Sequence, residues 1–217
     1  MSVTRSATAA PLPSRARESA AERSRAQTRA RLLEAGLALF AERGLHGVTT
    51  HDIAARAGVA AGTFYLHFAD KRELLRVVAA ETIASLRERL DRATRAARGS
   101  REGVPAFSEA LLSFAEEHRD RVRVLFGRDG DAAAVQADVL SELAGSLAES
   151  RRQRVASGEM PEDLDSEVLS QALVGMLARV VAWWVEDPRR APRETVARTL
   201  TRIQLSGTHP PRSAEEP

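Results

Sequence analysis

From about residue 23 onward the apolar positions recur at helical spacing. Leu32, Leu33, Gly36, Leu39 and Phe40 share one stripe of a helix predicted over residues 25–43, which Gly44 ends. Thr49-Thr50-His51-Asp52 is a capping box opening a short helix to about residue 57. Gly58-Val59 breaks the chain, and a third short helix follows to about residue 67. Asp70-Lys71-Arg72-Glu73 is a second capping box, at the start of a long helix to about residue 98. Beyond a loop at 99–103, Pro105 fits the first turn of a helix reaching about residue 118. A short helical segment at 121–126 and a turn at 127–130 come next. Long helices are predicted over 132–156, with a stripe of Val135, Val139, Leu143 and Leu147, and over 165–186. The last, over 193–205, uses Val196, Leu200 and Ile203. No Val/Ile/Thr-rich alternating run with hairpin turns interrupts this pattern. The predicted fold class is all-α, with an N-terminal three-helix helix-turn-helix head and a larger helical bundle.

Composition narrows the chemistry. The 217 residues carry 32 Lys+Arg, 30 Asp+Glu and no Cys, which removes disulfides, thiolate nucleophiles and Cys-ligated metals. No metal is expected from the histidines either: His46, His51 and His67 lack ligand spacing, and no cofactor is implied. No apolar run approaches the roughly 20 residues of a membrane span, and no signal-peptide core opens the chain. A cytoplasmic protein with no membrane partner is the expectation. Charge is uneven: residues 1–31 hold seven arginines against two glutamates, net +5, leaving −3 of the +2 total for the remainder. A basic arm ahead of a near-neutral body is a footprint of polyanion binding, and a solubilising tail is the plain alternative. The expected organisation is a disordered basic tail at 1–21, a head at 22–70, a helical body at 71–207 and a disordered tail at 208–217.

Candidate chemistry concentrates in residues 45–75. Ile53, Ala54 and Ala57 give the first short helix an inward face, Val59 plugs the turn, and Phe64 and Phe68 face inward from the second. Small residues at Ala54, Ala57 and Gly62 are expected to let the two helices cross closely. Tyr65 is turned roughly 100° from Phe64, so Tyr65 and Thr63 point outward. In a helix-turn-helix the second helix enters the major groove and the first crosses the backbone.

At these residues the chain resembles the TetR family of transcriptional regulators. The matching pattern is Thr49-Thr50, Ile53-Ala54, Ala57-Gly58-Val59-Ala60, Gly62-x-x-Tyr65-x-x-Phe68 and Lys71-x-x-Leu74, about 30 residues densely and about 50 with the first helix. The resemblance implies a homodimer that binds a double-stranded DNA operator of inverted-repeat form and answers to a small-molecule effector. It implies that Thr49 or Thr50 binds a phosphate and that His51 reads a base. Ala61, Gly62 and Thr63 would face base edges, while Tyr65, His67 and Lys71 would hold phosphates. Two departures stand out. Ala60 replaces the usual Ser and removes a side-chain N-cap, and Ala61 replaces a usually polar or basic residue. Affinity would then lean on Arg23, Arg25 and Arg29.

By the same resemblance, the body is a ligand-sensing and dimerisation domain. The helix around 168–185 is apolar nearly all round, so it is expected to serve both the interior and a second subunit, with Ala172 and Gly175 allowing close approach. Candidate ligand contacts are Phe107, Phe114, His118, Phe126, Met176, Arg179 and Trp183, each with a plain core or helix-end reading beside it. Arg179 is the only charge between Leu173 and Val185, so it is expected to need an acid of this chain, an acid of a second subunit, or an anionic ligand. Two other classes are open to such a chain. An enzyme would need a carboxylate pair such as Glu116-Glu117 or Glu162-Asp163, but these sit at helix ends, and no catalytic motif accompanies them. An adaptor with a degenerate helix-turn-helix is the runner-up, supported by Ala60 and Ala61. Repression by a regulator released by an apolar or amphipathic effector is the leading expectation.

Overall fold

The protein is described by a computed structural model covering residues 14–127 and 132–208. Nine α-helices occur among these residues: α1 (Ser14–Arg43), α2 (Thr50–Arg56), α3 (Ala61–Phe64), α4 (Lys71–Thr94), α5 (Ser100–Glu117), α6 (Arg119–Phe126), α7 (Ala133–Ala156), α8 (Ser166–Glu186) and α9 (Arg193–Ser206). A short 3-10 turn, Pro188–Arg190, joins the last two. The described residues contain no strand, as the pattern predicts.

Helix α1 starts well before the predicted residue 25, inside the stretch expected to be disordered. Residues 20–27 are exposed, so no apolar stripe marks them; Ala, Glu and Arg, all good helix formers, extend the helix without packing. Residues 1–13 and 209–217 lie outside the described residues, as does most of the predicted 127–130 turn. Helix α3 ends at Phe64 rather than near residue 67, because its last turn tightens: Leu66 N–H donates to the Thr63 carbonyl and His67 N–H to the Phe64 carbonyl. Pro105 lies inside α5 rather than in its first turn.

Two apolar cores result. The first joins Leu32, Leu39 and Phe40 of α1 to Ile53, Phe64 and Phe68 of the short helices. It continues through Leu74, Leu75 and Val78 of α4 into Leu125 of α6 and Val135 of α7, so it crosses the boundary predicted at residue 70. The second gathers Leu86 of α4, Leu112 and Phe114 of α5, Trp184 of α8 and Leu200 of α9. Helices α1 and α4 meet closely at Gly36, where an added Cβ would lie 2.7 Å from Leu74 Cδ2. Only a residue without a side chain fits that crossing without displacing Leu74.

Helix α8, at 21 residues, is long and apolar enough to cross a membrane, contrary to the expectation from uninterrupted apolar runs. Ser170, Gln171 and Arg179 interrupt its sequence and hid that length. Here it packs against α5, α6 and α7, and Trp184 is buried with its indole N–H donating to the Ala191 carbonyl at 3.0 Å.

Ala60 is the N-cap of α3 and provides no side-chain hydrogen bond. Ala60→Ser is expected to stabilise the protein by about 1 kcal/mol, a rise of roughly 2–4 °C in Tm. An unchanged Tm in a thermal melt would show that a cap at this position adds nothing.

Candidate functional site: an exposed helix-turn-helix face and an apolar cavity

The two threonines at the start of α2 take different roles. Thr49 is the N-cap: its hydroxyl accepts from Asp52 N–H at 3.1 Å and donates to the Asp52 carboxylate at 2.6 Å. The same carboxylate accepts from Thr49 N–H at 2.8 Å, and these bonds hold Asp52 below the usual carboxylate range. Thr50 is left to the outer face, where its hydroxyl lies 3.0 Å from the Tyr65 hydroxyl. That pair ties α2 to the end of α3 and places two hydroxyls side by side at the surface. Tyr65 is 58% exposed and Leu66 69%, and His51 is exposed beside them. Ala61 and Thr63 are half-buried. Gly62 is exposed, and an added Cβ there would meet nothing within 4 Å. Its smallness is therefore not needed for the helix crossing, which corrects that expectation; Ala54, Ala57 and the buried Phe64 form the contact instead.

Several cations expected to meet phosphate contact groups of the protein itself. Lys71 donates from Nζ to the carbonyls of Leu45 and Val48 at 2.7 and 2.8 Å, which pins the start of α4 to the loop before α2. Arg25 donates to the Leu66 carbonyl at 3.4 Å, and Arg29 stacks over the Phe68 ring and pairs with Glu81 of α4 at 3.6 Å. Arg31 was not singled out from sequence, yet its guanidinium donates twice to the Ala57 carbonyl, at 3.0 and 2.6 Å, and once to Gly58. It holds the turn where Gly58 adopts φ +67°, placing a cation at the negative end of α2. No local pattern signals this contact, since the partners are 26 residues apart. Half-buried His67 sits beside the Phe68 ring, and burial, then Arg25 and Arg29, lower its pKa below the usual histidine value.

In the body, a cavity of about 250 Å³ opens between α4, α5, α7 and α8. Leu86, Leu90, Phe107, Leu111, Phe126 and Val181 line it, with Arg87, Ser146 and Ser150 also on its wall. Of the candidate ligand residues, the structure brings only Phe107 and Phe126 to this cavity. Phe114 is buried in the second core, with its ring centroid 4.4 Å from that of His118 at the α5–α6 junction, and Met176 packs against the same core. Arg179 and Trp183 line a separate surface groove between α8 and α9. Arg179 is exposed in the single chain, so no acid of this chain is required to offset its burial. Val168, Ala172, Gly175 and Trp183 are exposed with it along α8, and Gly175 faces open space.

An exposed helix-turn-helix joined by one long helix to an α-helical body with an apolar cavity defines a DNA-binding transcriptional regulator. Residues 32–78 match the family described as bacterial regulatory proteins, tetR family. The fatty acid metabolism regulator protein of Bacillus subtilis is 25% identical over 182 residues, 82% of this chain and 94% of that one. The HTH-type transcriptional repressor KstR2 of Mycobacterium tuberculosis is 51% identical over 47 residues, 22% of this chain and 24% of that one. Among solved structures, the regulator FadR from Bacillus subtilis, in complex with stearoyl-CoA, superposes with a TM-score of 0.67 at 21% identity. That match covers 82% of this chain and 98% of the other.

Two measurements check the internal roles. Lys71→Met should destabilise the protein by about 2 kcal/mol, since two charge-assisted hydrogen bonds are lost and two carbonyls left open; a denaturant midpoint equal to that of the parent would refute the pin. For His67, the folded pKa lies below the ordinary 6.5. Its contribution is therefore fully present above pH 6.5 and is lost as pH falls through the lowered value. His67→Gln should flatten that part of the Tm-against-pH curve.

Proposed function

We propose that this chain is a repressor that binds an inverted-repeat operator as a homodimer and is released by an amphipathic effector with an apolar chain. The observation that carries the reading is the intact outer face of the helix-turn-helix. The Thr50 and Tyr65 hydroxyls lie 3.0 Å apart at the surface, beside a recognition helix whose first turn is open at Gly62. Together the two hydroxyls suit one backbone phosphate, and His51, Thr63 and Leu66 stand where base edges and thymine methyls would pass. Thr49 and Lys71 act on the DNA through the shape of the head, because the Thr49 hydroxyl is held by Asp52 and two of the three Lys71 donors by loop carbonyls. This favours a working DNA-binding face over a degenerate adaptor, and such a regulator works in the cytoplasm with its DNA.

The apolar exposed stripe of α8 supports dimerisation through this helix, Gly175 and Ala172 allowing close approach, and Leu205 of α9 is exposed as well. A C2 dimer presents two recognition helices to half-sites related by the same symmetry. The cavity supports the effector. Its 250 Å³ falls just under the usual span of small-molecule sites, and at roughly 30 Å³ per water-sized group it takes about eight such groups. That volume takes the end of a fatty acyl chain, the remainder leaving through the open side, and the FadR neighbour is in complex with stearoyl-CoA. Repression is supported by the KstR2 repressor, 51% identical over 47 residues.

Fluorescence anisotropy with duplexes from upstream of its own gene tests the reading, with lauroyl-CoA added as effector probe. Binding of one duplex, reversed by the probe, is the expected result. Tyr65→Phe should weaken binding to specific and unrelated duplexes alike by about 1 kcal/mol, since a phosphate contact carries no sequence information. Thr63→Ala should instead narrow the difference between them. If both variants bind as the parent does at two salt concentrations, the recognition face is wrongly assigned.

A further inference from the structure

The wall of the apolar cavity carries a charge that an apolar chain alone does not require. Arg87, on α4, faces the cavity from among Leu86, Leu90 and Leu111. Its Nη2 is buried and makes no hydrogen bond. Glu142 Oε1 lies 3.1 Å from that nitrogen, but out of line with its N–H bonds, so the contact is Coulombic and the donor is left without an acceptor. The Arg87 side chain is 39% exposed, but this one nitrogen is not, and a well-placed oxygen inside the cavity would satisfy it. Opposite stands α7, where Glu142, Ser146 and Ser150 follow one another at four-residue spacing and so share one face. Ser146 and Ser150 line the cavity and are exposed, which puts them at its open side. The cavity thus has an apolar floor and a polar rim, with one cation whose buried donor is unfilled.

We infer that Arg87 is the anchor for an anionic oxygen group at the end of the effector's apolar chain, and that Glu142 is the internal competitor this group displaces. The inference rests on reading the cavity as the effector site. Glu142, with its side chain 65% exposed, returns to solvent at little cost when displaced. The incoming oxygen receives a charge-assisted hydrogen bond in a less hydrated place, where such bonds are shorter and stronger. The negative charge of Glu142 also opposes an anionic ligand until it moves away, so it sets a threshold on binding. The same chemistry is offered by a free carboxylate and by an acyl thioester whose carrier bears phosphates.

Isothermal titration calorimetry on the full chain separates these possibilities, with laurate, lauroyl-CoA and dodecan-1-ol as probes. Arg87→Met is expected to weaken laurate or lauroyl-CoA by about tenfold or more while leaving dodecan-1-ol unchanged. Loss for laurate alone marks a free acid, loss for lauroyl-CoA alone a thioester, and either supports the anchor. Glu142→Gln removes the competitor and should tighten the anionic probe severalfold. Leu111→Trp fills the cavity and should abolish all binding. Equal weakening of all three probes by Arg87→Met, or no weakening at all, overturns the anchor while the cavity reading stands. If the parent binds none of the probes, or Leu111→Trp leaves binding intact, the cavity reading itself fails and takes the anchor with it. Circular dichroism melts of each variant separate lost binding from lost folding.

Discussion

Helix α4 belongs to both apolar cores, and the geometry of the head follows from that. Leu74, Leu75 and Val78 are buried with α1, α2 and α3, while Leu86, about two turns further on, is buried with α5, α8 and α9. Each fully buried aliphatic side chain contributes roughly 1.5–3 kcal/mol, so the first two turns of α4 are not free to part from the head. Gly36 lets α1 settle onto Leu74, and Lys71 fastens the start of α4 to two loop carbonyls. Any displacement of α4 that begins in the body therefore carries the whole helix-turn-helix with it.

The short helices show why such bracing is needed. With seven residues in α2 and four in α3, neither would persist alone, because helix nucleation is costly and these segments are too short to repay it. Their ends are secured instead: Thr49 and Asp52 close the start of α2, Arg31 takes the carbonyls at its end, and Arg25 reaches the carbonyl of Leu66. Positive charge read along the sequence as attraction to DNA is here partly invested in positioning the recognition helix. The two uses are not exclusive over the arm as a whole, but Arg25, Arg29 and Lys71 serve the fold first.

The helices were legible because caps and apolar stripes are local signals. Capping patterns at Thr49 and Asp70 and stripes such as Leu32, Leu39 and Phe40 are written within one or two turns of chain. The motif between Thr49 and Leu74 also identified the outer face, since Tyr65 follows from helical geometry once Phe64 is placed inside. What could not be read was contact at long separation. Residue type says that Lys71 and Arg31 seek oxygens, but not whether the oxygens belong to a phosphate or to a carbonyl 23 to 26 residues away. The start of α1 was missed for the opposite reason: residues 20–27 are exposed, so no apolar stripe records them. Ligand candidates drawn from aromatic residues split between cavity, core and surface groove. Arg87 escaped notice because it lies in a run of arginines and glutamates that looks like an ordinary solvated face.

Arg87 and Lys71 occupy the same helix, 16 residues and about 24 Å apart, so an event at the cavity reaches the head through one rigid element. How much it can do is bounded by the difference in what α4 gains in the two states. The Arg87–Glu142 pair, buried at Nη2 but with both side chains partly exposed, is worth roughly 0–1 kcal/mol, whereas a charge-assisted hydrogen bond to a ligand contributes about 1.5–3. If that whole difference of about 1–2 kcal/mol favoured one placement of α4, operator affinity would change about 5- to 30-fold, which is the usual range of allosteric coupling. In a symmetric dimer the two sites act on one DNA molecule, so the product of two modest shifts suffices for release. A regulator built this way needs no large rearrangement in either core.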